Sequence, residues 1–120
     1  MPNLPTLPLT PLTMAILLAL AKQDQHGYAL MQEVEAQTDG AIVAGTGSLY
    51  AALQRLQDDS LIIDSPDRPA PGEDQRRRYF RITDAGRAAA RAEAARMVRV
   101  LETARERRLI PKLGSLWSTR

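Results

Sequence analysis

Three short segments fix most of what this chain can fold into: HGYAL at His26 to Leu30, TGSLYAALQRL at Thr46 to Leu56, and RRRYFRITDAGR at Arg76 to Arg87. In the second segment Leu49, Leu53 and Leu56 recur at i, i+4 and i+7, so it predicts a helix whose buried face is set. Gly47, Ala51, Gln54, Arg55 and Asp58 then share the opposite, outward face. Next come a short apolar strand, Leu61 to Ile63, and a basic strand, Arg77 to Ile82, in which Phe80 and Ile82 share a side. The stretch between them, DSPDRPAPGEDQ at Asp64 to Gln75, has the prolines and glycine of a hairpin tip. The expected fold is mainly α: a winged helix-turn-helix with a two-stranded wing and a long C-terminal dimerisation helix.

The flanks extend this layout. Pro2, Pro5, Pro8 and Pro11 recur at the polyproline II repeat, so residues 1–9 read as an extended arm. Such an arm could pack on its own dimer or serve a proline-recognition domain, and its lack of basic residues argues against minor-groove insertion. Thr10 and Pro11 read as N-cap and first residue of a helix running to about Gln23. Leu12 and Ala15 to Leu20 leave that helix almost no polar face, so it needs cover on both sides. A second subunit is the expected cover, which places Leu12 and Ile16 in a dimer interface. A second helix is expected from His26 or Gly27 to about Thr38, with Tyr28, Leu30, Met31 and Val34 partly inward. The third opens with Thr46 as N-cap.

Thr83 or Asp84 caps a last helix that can run to about Leu109, before Pro111. Its seam, Ala90, Ala94, Met97, Leu101 and Ala104, alternates steps of four and three, the spacing of a coiled-coil contact. Ala94, Met97, Leu101 and Ala104 are accordingly expected to meet a second subunit. The organisation is an arm over 1–9, a winged domain over 10–83, a dimerisation helix over 84–110 and an irregular tail over 111–120, with Trp117 as a packing anchor.

Composition narrows the function. The 120 residues suit one domain and contain no cysteine, which removes disulfides, thiolate metal sites and thiol nucleophiles. The longest apolar run, Met14 to Ala21, is too short to span a membrane and lacks a basic upstream flank, so a cytoplasmic protein is expected. No enzyme is expected either. His26 is the only histidine and sits where a helix cap belongs; Asp58 and Asp59 diverge by about 100° on a helix and cannot act as a pair. No phosphate-cradling glycine loop, metal-ligand cluster or cofactor motif is present.

The formal charge of +2 conceals two opposed parts. Residues 1–75 carry 3 basic and 10 acidic side chains, a balance of −7; residues 76–120 carry 13 and 4, a balance of +9. Attraction to a polyanion must come mainly from the second part.

In a fold of this kind, helix N-termini and hydroxyl side chains hold phosphates while side chains further along reach bases. Thr46, Ser48 and Tyr50 are therefore candidate phosphate contacts, with capping for Thr46 and packing for Tyr50 as the alternatives, and Tyr28 joins the set. Gln54 is the best base-reading candidate and Arg55 the next, because Gly47 and Ala51 carry no hydrogen-bonding side chain. Arg76, Arg77 and Arg78 are the expected wing contacts.

Taken together the three segments resemble the PadR family of bacterial transcriptional regulators, over about Leu12 to Leu101, in the shorter subgroup with a single C-terminal helix. The resemblance implies a homodimer that binds double-stranded DNA, usually as a repressor and often released by a small-molecule effector. Two departures stand out. Ser60 occupies a turn position where the family usually has glycine, and the C-terminal helix has no aromatic side chain with which to stack a flat ligand. The acidic first part motivates a competing reading, a winged helix that turns this face to a partner protein.

Overall fold

The computed structural model describes residues 8–66 and 77–110. The arm before Pro8, the hairpin tip, Arg76 and the tail with Trp117 lie outside the described residues. Four helices and three short strands follow in the order α1 Pro11–Lys22, β1 Gln25–His26, α2 Gly27–Gln37, α3 Thr46–Asp58, β2 Ile62–Asp64, β3 Tyr79–Ile82 and α4 Asp84–Glu106. The wing strands pair antiparallel with Ile62 opposite Ile82 and Asp64 opposite Phe80. A third strand, not anticipated from the sequence, completes the sheet in the order β1-β3-β2: Gln25 pairs with Phe80 and His26 with Tyr79.

Helix α1 is the centre of the molecule. Ile16, Leu17 and Leu20 are essentially fully buried among Leu30 and Val34 of α2, Leu49 and Leu53 of α3, and Phe80 of the sheet. The chain therefore covers most of α1 by itself, because the sheet and α4 close the side that α2 and α3 leave open. This corrects the expectation for Ile16, which is 0% exposed in a single chain and has no surface to offer a partner. Leu18, 46% exposed, is the large apolar side chain that α1 turns outward, while Leu12 is half-buried.

The helix starts follow local chemistry. Thr10 accepts from the Thr13 N–H at 3.1 Å and Thr83 from the Gly86 N–H at 3.0 Å, each side-chain oxygen satisfying a donor that the helix cannot. Helix α3 is the exception: Gly45, not Thr46, is its N-cap, and no side chain caps it.

Three helices end on a non-glycine residue in the left-handed region: Asp39 at φ 50°, Ser60 at φ 60° and Arg108 at φ 63°. After α3 the Ser60 N–H bonds the Gln57 carbonyl and the Leu61 N–H bonds the Leu56 carbonyl, both at 2.9 Å. That is a Schellman closure, with Leu56 and Leu61 both buried in the same apolar cluster. The same closure at Arg108 ends α4 short of the expected Leu109. A Cβ in this region clashes with the backbone, so Ser60→Gly is expected to stabilise the fold by about 1 kcal/mol, less what glycine adds to unfolded-state entropy. Urea denaturation measures it; a midpoint at or below wild type contradicts the strain.

Candidate nucleic-acid interface

The polar cleft beside the wing is built by three elements. Tyr28 comes from the first turn of α2, Tyr50 from α3, and Arg77 and Arg78 precede β3; with His26 and Gly27 they line a space of about 350 Å³. Packing brings them together. Gly27 is buried against the Tyr50 side chain, and a Cβ there would run into the phenol, so HGYAL needs its glycine to let α3 lie beside the start of α2. Tyr28 is 56% and Tyr50 41% exposed, which leaves both rings reachable from outside.

Helix α3 presents the outward face expected of it: Gly47, Ala51, Gln54, Arg55 and Asp58 are all exposed, as are Thr46 and Ser48. Because Gly45 is the cap, the Thr46 hydroxyl is not the one that closes the helix, and the first turn of α3 has N–H groups that no side-chain cap takes. Gln54 is held within the helix, its Nε2 donating to Asp58 at 2.9 Å. An i, i+4 amide–carboxylate bond of this kind is exposed and contributes only a few tenths of a kcal/mol, about 0.2 to 0.5, so it delays a reader little.

The wing arginines are already engaged. Arg78 donates to Asp64 at 2.7 Å and to Gln57 at 3.4 Å, and its guanidinium lies 4.9 Å from the Phe80 ring centre. Arg77 reaches the His26 ring at 2.8 Å. Arg81 clamps Asp24 through two nitrogens, at 3.0 and 2.8 Å to the same oxygen, while the Ser65 hydroxyl donates to that carboxylate at 2.6 Å. Burial works against the Asp24 charge, but the Arg81 and Ser65 hydrogen bonds and the Arg81 charge outweigh it and hold the carboxyl below its ordinary pKa. Some of the acid in the first part of the chain thus sits against the base of the wing. The opposition of charge between the two parts is partly cancelled inside the fold.

At the other end, α4 is docked only over its first half. Gly86, Ala89 and Glu93 are its buried residues, and beyond Glu93 none is. Glu93, 2% exposed, receives two bonds from Arg96 at 3.0 and 2.6 Å; these outweigh burial and keep its carboxyl below the ordinary value. Past that anchor the helix exposes Met97, Val98 and Val100, while Ala94 is exposed and Leu101 and Ala104 are half-buried. An apolar groove of about 460 Å³ runs between α1 and α4, with Met14, Leu18 and Met97 on its walls. Among the described residues no helix is long and apolar enough to cross a membrane, and no cluster of three or more potential metal ligands occurs.

The profile of the transcriptional regulator PadR-like family matches residues 16–92. Similar solved structures include a transcriptional regulator from Clostridium thermocellum, 25% identical with a TM-score of 0.66 over 79% of this chain and 87% of that one. A PadR-like transcriptional regulator from Bacillus cereus is 23% identical, with a TM-score of 0.69 over 83% of this chain and 93% of that one, a likeness of fold. An uncharacterized 37.1 kDa protein in a transposon of Streptomyces fradiae is 41% identical over 72% of this chain, and uncharacterized protein X of Lysinibacillus sphaericus is 32% identical over 61%. The chain spans only 23% and 65% of the lengths of these two relatives. With the family profile covering most of α1, all of α2 and α3, the wing strands and the start of α4, and with the same fold in regulators of that family, the chain belongs to the PadR-like family of transcriptional regulators.

Proposed function

We propose that this protein is a DNA-binding transcriptional regulator of the cytoplasm that acts as a homodimer on a pseudo-palindromic operator. One observation carries the reading: Tyr28, Tyr50, Arg77 and Arg78 converge on one cleft next to the bare, uncapped start of α3. Hydroxyls, guanidinium groups and open helix N–H groups are the donors that hold a phosphate backbone. Thr46 and Ser48 belong to the same phosphate set, with Arg76 as a further wing contact. Gly47 and Ala51 let α3 approach the groove floor, and Gln54, released from Asp58, reads a base edge, with Arg55 beside it. So small a reading set supplies only about 1 to 3 kcal/mol of discrimination per bidentate pair, which is why two copies are needed.

The apolar side chains of the distal half of α4 and the groove between α1 and α4 are the surface for the second copy, with Met97 on the groove wall and Leu12, Ala94, Leu101 and Ala104 as its further contacts. Kinship makes repression the expected mode of action, with a small-molecule effector as the release signal. The test is a gel shift at low salt with the promoter duplex beside the gene and with random duplexes. Retardation of both, tighter for the promoter, is the expected result. Failure of both to bind rejects the DNA reading and leaves the protein-interaction module in its place.

A further inference from the structure

Asp24 stands between α1 and β1, with both strands of the wing in reach of its carboxylate. Gln25 pairs with Phe80 and His26 with Tyr79, so the same antiparallel register sets Asp24 opposite Arg81 of β3. Arg81 approaches one oxygen of that carboxylate with Nε at 3.0 Å and Nη2 at 2.8 Å. The Ser65 hydroxyl, one residue past β2, donates to the same oxygen at 2.6 Å, and the Ser65 N–H bonds the Tyr79 carbonyl at 2.8 Å. One side chain at the end of α1 thus holds both strands of the hairpin.

Apolar packing does not reach as far as the wing arginines. Phe80 and Ile82 seat the inner face of β3 in the core, but Tyr79 is only half-buried and Arg77 and Arg78 are exposed. The backbone adds little there, since β1 gives the hairpin two paired residues and strands of two, three and four residues make a marginal sheet. How Arg77 and Arg78 are presented therefore depends on the polar ties at the base of the wing. The Asp24 side chain is 26% exposed, so water competes with its ion pair less than at an open surface.

We propose that Asp24 is a positioning residue for DNA binding: by tying Arg81 and Ser65 to the end of α1 it fixes the angle at which Arg77 and Arg78 meet a phosphate backbone. The inference rests on the DNA reading above. A carboxylate cannot itself donate to a phosphate and repels it, so whatever Asp24 adds to affinity passes through the wing. Without the tie the wing arginines must be ordered at the moment of docking, and that cost is subtracted from binding.

Fluorescence anisotropy with a random-sequence duplex at low salt tests this, since backbone contacts are independent of sequence. Asp24→Asn is expected to bind about three- to tenfold more weakly, the cost of ordering one or two long side chains at an interface. The sign is diagnostic, because removing an acidic charge by itself tightens binding to a polyanion. Asp24→Glu, which keeps the carboxylate, should recover part of the loss. In a protein that already carries Arg77→Ala and Arg78→Ala, the same Asp24→Asn change should cost nothing further. Affinity equal to or tighter than wild type in Asp24→Asn, or an equal loss with and without the wing arginines, overturns the proposal and leaves DNA binding intact. No binding by the wild type overturns both readings. Should Asp24→Asn not fold, Ser65→Ala decides without a change of charge: it should bind about two- to threefold more weakly, and undiminished affinity overturns the proposal.

Discussion

Gly86→Ala is expected to destabilise the fold by about 2 to 3 kcal/mol. The cause is a single close approach. Thr83 caps α4 and also donates its hydroxyl to the Ser60 carbonyl at 2.7 Å, while its N–H bonds the Leu61 carbonyl at 3.0 Å. These bonds pull the first turn of α4 onto the turn that follows α3. A Cβ at Gly86 would meet the Leu61 carbonyl oxygen and the Ile82 side chain, and the first of these is backbone that cannot rotate away. Either α4 lifts from the sheet or Leu61 gives up its bond to Thr83. For a domain of this size the loss corresponds to a melting temperature lower by about 8 to 15 °C. Thermal unfolding followed by circular dichroism measures it, and an unchanged transition would mean that the TDAGR turn is looser than the structure has it.

Met97→Glu together with Leu101→Glu should separate the proposed dimer. Both positions lie beyond Glu93, the last buried residue of α4, so a carboxylate there disturbs little within one chain. Across an apolar interface it is different: two copies would bring four charges out of water with no partners. Sedimentation is expected to show monomers. Operator affinity should fall by about 100-fold or more, because the second half-site no longer binds as an intramolecular event. A variant that stays dimeric places the interface elsewhere.

Much of the winged domain was legible because its signals are local. The spacing of Leu49, Leu53 and Leu56 fixed the register of α3, and all three are buried. Thr10 and Thr83 were legible as caps from residue type and position. Strand β1 was not, since two residues carry no period, and Gln25 and His26 are strand only because β3 lies beside them. Ile16 was misplaced because an all-apolar helix looks the same from sequence whether a sheet or another chain covers it. The αL residues Asp39 and Arg108 gave no sign, as neither is glycine; Ser60 did, through the glycine it replaces.

In the candidate site, sequence named the donors but not their present partners. Arg78 with Asp64 and Arg77 with His26 are far apart in the chain and meet through strand register. The Gln54–Asp58 bond was the exception, readable in principle from its spacing of four. His26 could be read as a cap from its position, but its second contact needed the fold.

We propose above that the cleft and the face of α3 hold a phosphate backbone. The most direct measurement of this is the dependence of duplex affinity on salt, for wild type and for Arg77→Ala. A steep linear fall of log affinity with log salt is expected in the wild type, with a slope smaller by about 1 per chain in the variant, as one phosphate contact is lost. A wild-type affinity indifferent to salt, or identical slopes in the two proteins, would contradict it.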